Sequence, residues 1–324
     1  MNILVSSFQI FADNIIYLGF IYTILALGVF IAFKILNVAD LSTDTLFSFS
    51  GILSIGFIVC GVPPFLALIL AVVCGCGIGY LNAALHVYLK LDPLMAGIII
   101  MTALYTPDSL IISALSNGTL KIKDGQFTIF SRFESLMSAY DNAAYASKIM
   151  ISGAFVIGIV LLMYWFFGTE VGLALRASGK NQEMSKAEGI NTNKYYILGM
   201  MISSGLVALS GSLYAEASKT AFADTGRGAI VIGLAIIFLG DVIFGSKSFK
   251  STLLSIVCGG LIYWVILNSI MRIPGADSYL YMLKAMMIAV VMVADNFKES
   301  FLRKRKIRKA LVLSDNPKED KNSL

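Results

Sequence analysis

GTEVGLALRASGKNQEMSKAEGINTNKYY, residues 168–196, is the longest stretch between apolar segments that keeps the form of an amphipathic turn, helix and turn. Gly172, Gly179 and Gly189 bracket it. Arg176, Lys180, Lys186 and Lys194 alternate with Glu170, Glu183 and Glu188. On both sides the chain returns to long apolar runs. A polar segment of mixed charge between such runs is a surface built for contact with another protein.

The runs themselves fix the class. Of 324 residues, 57% are hydrophobic and 14% charged, against about 25% charged in a soluble domain. Mean hydropathy is +0.81. The relevant measure is therefore the bilayer, which about 20 apolar residues cross as a helix whose backbone groups are all paired internally. Nine apolar segments can be drawn, at 11–33, 41–60, 65–85, 94–115, 149–167, 197–217, 228–245, 249–271 and 276–296. The second and the seventh are the least secure as simple spans. The expectation is an all-α polytopic membrane protein of about 8–10 transmembrane helices, with a transmembrane domain over 1–300 and a basic, then polar, tail over 301–324. The N-terminus has no Lys or Arg before Lys34, so no basic leader region is expected.

Orientation follows from the cations. Nine Lys/Arg lie from Lys298 onward, including Arg303, Lys304, Arg305 and Lys306, which places the tail in the cytoplasm. Counting back puts residues 168–196 on the same side and the N-terminus outside. The tail reads as a polybasic segment facing anionic lipid rather than nucleic acid, at about 1 kcal/mol per cation. The long loop from Ser116 to Lys148 is then external, either a contact for an extracellular partner or a cap over the helices.

No enzyme signature appears. Cys60, Cys74, Cys76 and Cys258 sit in apolar runs, and His86 has no ligand-type residue at helical spacing, so neither a metal nor a cofactor is expected. The run Gly240-x4-Gly245-Ser246-Lys247-Ser248 resembles a phosphate loop, but Ser246 separates the second glycine from the lysine and membrane spans flank it. Polar groups within spans are more informative, because they are costly there and mark pathways. Asp40 to Ser50, DLSTDTLFSFS, carries two carboxylates and five hydroxyls at the start of a span. A broken helix would bring Asp40, Ser42 and Asp44 inside the bundle to line a cavity. Equally, Asp40 and Asp44 would cap an ordinary helix at the cytoplasmic surface. Thr102, Thr106 and Asp108 surround Pro107, which should kink its helix. Asn82, Asp241, Asn268 and Lys284 are further candidates. Gly75 with Gly79, Ala208 with Ser212 and Gly211 with Ala215 form small-residue pairs that allow close helix approach.

Three segments together resemble permease subunits of the branched-chain amino acid and ribose type of ABC importer. They are Gly172-x2-Leu175-Arg176-Ala177-x-Gly179-x3-Glu183-x3-Ala187-x-Gly189-Ile190-Asn191, then Ser204-Gly205 through Ala208 to Gly211, then Gly226-x-Gly228 leading to Ile232-Gly233-Leu234-Ala235 and Gly240-Asp241. A bacterial branch is more similar still at Tyr22 to Gly28, at Ile35-Leu36-Asn37-x2-Asp40-Leu41-Ser42-x-Asp44 and at Pro93 to Tyr105. The chain departs from that branch at Thr45-Leu46, where glycine and a small residue are more usual.

The resemblance implies a multi-pass bacterial plasma-membrane permease, itself non-catalytic, working as a homodimer with cytoplasmic ABC ATPases and an extracellular substrate-binding lipoprotein. It also implies a coupling helix within 175–191, with Arg176, Ala177, Gly179, Glu183, Ala187 and Gly189 at the ATPase interface and Arg176 and Glu183 as its polar contacts. The cargo it implies is a small solute, an amino acid or related compound. Two other classes stay open. An ion-coupled secondary transporter would relay charge through Asp40, Asp44, Asp108 and Lys284, and a membrane scaffold or sensor would act through its cytoplasmic loop and tail.

Overall fold

The first apolar run contains neither proline nor cation and folds as one long helix, α1 (Asn2–Phe30), which widens into a π turn at Ile31–Ile35. The computed structural model describes residues 2–116, 118–122, 126–136, 143–245, 248–271, 279, 282–290 and 292–293. The basic tail at 301–324 with its domain boundary, and Ser246 and Lys247 of the phosphate-loop look-alike, lie outside the described residues.

Each later helix starts where the sequence supplies a reason. After α2 (Thr43–Val59), both α3 (Pro64–Val87) and α4 (Pro93–Leu115) begin with a proline, which lacks the N–H that a first turn cannot use. Asp92 caps α4 by accepting from the Leu94 amide at 2.9 Å, and α4 continues through Pro107. A short amphipathic helix, α5 (Ile129–Leu136), precedes α6 (Ala143–Phe166). The polar segment becomes α7 (Glu170–Lys180) and α8 (Gln182–Ala187), capped by Thr169 and Asn181. Asn191 caps α9 (Thr192–Ser218), and α10 (Ala229–Phe244) and α11 (Phe249–Met271) follow. Two short strands, β1 (Leu120–Lys121) and β2 (Thr220–Ala221), pair antiparallel with Leu120 opposite Ala221.

Seven helices among the described residues are long and apolar enough to cross a membrane. The second drawn segment falls short, because α2 has only 17 residues. Residues 282–290 of the last drawn segment are helical.

The centre of the bundle is α9, which packs on α1, α2 and α3 through small residues. A β-carbon on Gly75 would overlap that of Ala208, one on Gly79 would lie 2.7 Å from the Met200 carbonyl oxygen, and one on Gly211 would overlap the Phe47 carbonyl. Hydroxyls complete the contacts. Ser203 donates to the Gly28 carbonyl at 2.8 Å, Ser210 to Ile21 at 2.7 Å and Ser212 to Ser50 at 3.1 Å. With lipid outside, close packing and such bonds hold helices together in place of the hydrophobic effect. Gly211→Val should therefore lower the melting temperature of the purified protein by several degrees, because overpacking costs about 1–3 kcal/mol. Gly77→Ala, where a β-carbon meets nothing within 4 Å, should leave melting unchanged. Equal melting of both variants would contradict the packing assigned to Gly211.

Candidate functional site

Asp40 and Asp44 lie within the bundle. Asp40 is buried and accepts through Oδ1 from the Ser42 amide at 3.0 Å and from Asn82 Nδ2 of α3 at 2.8 Å. Gly97 of α4 packs on the same turn, where a β-carbon would lie 3.1 Å from the Leu41 nitrogen. The turn before α2 is thus pinned to both α3 and α4.

Asp44 does something its own helix does not need. Its carboxylate reaches the start of α10, accepting from the Gly228 amide at 2.9 Å and the Ile230 amide at 2.8 Å. Gly228 supports this with a left-handed φ of +76°, and Ser48 accepts from the Gly226 amide at 2.8 Å. Lys284, in the helical stretch 282–290, lies within electrostatic reach of Asp44. Two helix N-termini, those of α2 and α10, therefore converge on one carboxylate, the arrangement by which discontinuous helices place positive dipole ends inside a bundle.

On α4 the remaining pathway candidates separate. Thr102 and Thr106 are exposed, and Ser109 and Ser113 continue the same face at helical spacing. Thr102 returns its hydroxyl to the carbonyls of Ile98 and Ile99, and Ser113 to that of Leu110. Asp108 points the other way. It is fully buried, and neither carboxylate oxygen has a hydrogen-bond partner among the described residues. Only 17% of this helix's span is buried. At the far end of the hydroxyl stripe lies a cavity of about 510 Å³, lined by Ser109, Ser113, Ser116, Thr119 and Asp224. The six candidates thus form an inward group (Asp40 and Ser42 buried, Asp44 half-buried and, apart from them, buried Asp108) and an exposed pair, Thr102 and Thr106.

Sequence reading missed Glu216. It is fully buried on α9, with Oε1 accepting from Ser54 Oγ at 2.9 Å and Oε2 from the Ile129 amide at 3.1 Å. It therefore ties the first turn of α5 to the α2–α9 core. The available signal was a lone carboxylate in an otherwise apolar helix. Also missed was the ion pair between Lys34 and Asp241, which joins the π turn to α10.

The α7–α8 segment has an inner and an outer face. Leu175 is fully buried, and β-carbons on Gly172 and Gly179 would overlap the carbonyls of Phe166 and Ile35. Facing outward are Leu173, Glu183, Met184, Lys186, Ala187 and Gly189. Arg176 and Glu183 do not share a face. The Arg176 guanidinium lies 4.9 Å over the Phe249 ring at the start of α11. His86 is accounted for by the Leu91 carbonyl at 2.7 Å and by Tyr196, whose ring centroid is 4.8 Å away. Among the described residues no three His, Cys, Asp or Glu side chains gather as a metal site.

The family model for the branched-chain amino acid transport system / permease component matches residues 11–292. The chain is 31% identical to a tyrosine transport system permease protein of Clostridioides difficile, covering 93% of this chain and 95% of the relative. It is 23% identical to a ribose import permease protein of Haemophilus influenzae, over 91% and 85%. A nucleoside ABC transporter permease protein of Lactococcus lactis is 25% identical over 62% of each chain. No solved structure matches the chain.

Proposed function

Because the chain belongs to the family of branched-chain amino acid transport permease components, whose members are multi-pass subunits of ABC transporters in the bacterial inner membrane, we propose that it carries an amino acid or a close relative. The full-length match to a tyrosine transport permease supports this cargo. The orientation that goes with it puts α7, α8 and the basic tail in the cytoplasm, and α5 with the β1–β2 pair outside.

The permease works as a homodimer fed by a substrate-binding protein at the outer face. The path runs along the exposed face of α4, past Ser113, Ser109, Thr106 and Thr102. A hydroxyl stripe on a largely unburied helix is poorly matched to lipid and well matched to a wet seam between two copies. Asp40, Ser42, Asp44 and Asp108 stand behind this face and set the positions of α2, α4 and α10 around it. At the cytoplasmic end, Glu183, Ala187 and Gly189, with Met184, meet the ATPase. Arg176, Ala177 and Gly179 seat α7 on the bundle, so that movement of the ATPases is passed to α1 and α11.

Uptake into proteoliposomes holding this permease, its ATPase and its binding protein tests the reading. Labelled tyrosine and other amino acids should enter only with ATP. Entry of ribose or a nucleoside in their place would overturn the cargo, and uptake on an ion gradient without ATPase would overturn the mechanism.

A further inference from the structure

At the α7–α8 end of the bundle, separate from the exposed face of α4 and from the outward face of α8, lies a cavity of about 440 Å³ between α1, α7 and α11. Its lining includes Lys34, Arg176, Lys180, Ser248, Phe249 and Thr252. Three cations thus converge on one space. Lys34 is paired with Asp241, whereas no carboxylate lies within ion-pair distance of Arg176 or Lys180 among the described residues. The cavity therefore keeps a surplus of two positive charges.

From this geometry we infer that the cavity is a binding site for a phosphate-type anion. The Phe249 ring holds the Arg176 guanidinium by its face, which leaves the N–H edges free for the bidentate geometry that phosphate oxygens accept. Lys180 adds a mobile point charge from the last turn of α7. The 23-residue helix α11 starts at Phe249, a lining residue, so the positive end of its dipole borders the same space. Ser248 lends a hydroxyl, while Thr252, whose hydroxyl donates to the Ser248 carbonyl at 3.1 Å, lines the wall. An occupant would tie α7 to α1 and α11.

The site's place in the chain points to where such an anion comes from. It lies where α1 ends and α11 begins, and the nearby end of α6 exposes Tyr164 and Trp165, with Lys250 Nζ 4.7 Å over the Tyr164 ring. Exposed aromatic rings with a neighbouring cation are the usual edge of a bilayer. A lipid headgroup phosphate and a soluble phosphate both fit the chemistry, and the test separates them.

The purified full-length permease is stripped of lipid, then offered phosphatidylglycerol or phosphatidylcholine, and retained lipid is counted by native mass spectrometry. One phosphatidylglycerol should be held in preference to phosphatidylcholine. The double variant Arg176→Gln with Lys180→Gln should hold it roughly thirtyfold more weakly, at about 1 kcal/mol per cation. Lys186→Gln, on the outward face of α8, should bind as the parent does. If the two lipids are retained alike, but millimolar inorganic phosphate raises the melting temperature of the parent and not of the double variant, the site stands and its ligand is soluble. If the double variant lacks the parent's melting transition, Ser248→Asp takes its place, adding a carboxylate to the cavity without removing a cation. Equal lipid retention and equal phosphate response in parent and variant would overturn the site.

Discussion

Asp44→Ala is expected to abolish uptake and to lower the melting temperature more than any other single truncation in the bundle. The side chain accepts two amide hydrogens at the start of α10. Hydrogen bonds to a charged group contribute about 1.5–3 kcal/mol each. The alanine variant also leaves both N–H groups facing the bundle interior, where lipid supplies no replacement acceptor. A combined loss of about 3–5 kcal/mol is a large share of a typical stability of about 5–15 kcal/mol. Lys284 loses an opposite charge within electrostatic reach as well. Asn at position 44 keeps one acceptor oxygen of the same reach, so Asp44→Asn should fall between alanine and the parent in both melting and uptake. Parent-like melting of Asp44→Ala would show that α10 is held by something else.

Asp44 also marks the limit of what the sequence conveyed. Its oddity was legible, since two carboxylates and five hydroxyls at the start of a span break the rule for apolar helices. Its partner was not. Gly228 and Ile230 are 184 and 186 residues away, and no periodicity encodes a contact between separate helices. The same division holds elsewhere. The pairs Gly75–Gly79 and Gly211–Ala215 announced close helix crossings, and their place is α9 against α3 and α2. Positions of the long helices followed from hydropathy because a bilayer imposes one length on every span. Arg176 and Glu183 were read together because both belong to one motif. They separate in space because the last turn of α7 and a new helix at Gln182 turn the chain between them. Glu216 escaped notice because its role depends on the amide of Ile129, and that loop has no pattern that declares a cap.

The outer and inner faces of α7–α8 give the second large effect, because they can be broken separately. Met184 is 62% exposed and stands beside Glu183, so Met184→Asp leaves the buried face of α7 untouched and should melt like the parent. On an ATPase it would bury an unpaired carboxylate at the centre of the contact, where truncation of one central residue commonly costs 2 kcal/mol or more, by rough measure. Copurification with the ATPase should fall by at least about thirtyfold, and uptake should fall with it. Gly179→Val acts on the other face. Its β-carbon would overlap the Ile35 carbonyl, which lifts the end of α7 away from the π turn while leaving Glu183, Met184 and Ala187 exposed. The ATPase should still bind and hydrolyse ATP, but its movement should no longer reach α1, so hydrolysis should persist while uptake stops. A permease that takes up substrate normally with Gly179→Val does not transmit force through this contact, and one that keeps its ATPase with Met184→Asp does not dock it there.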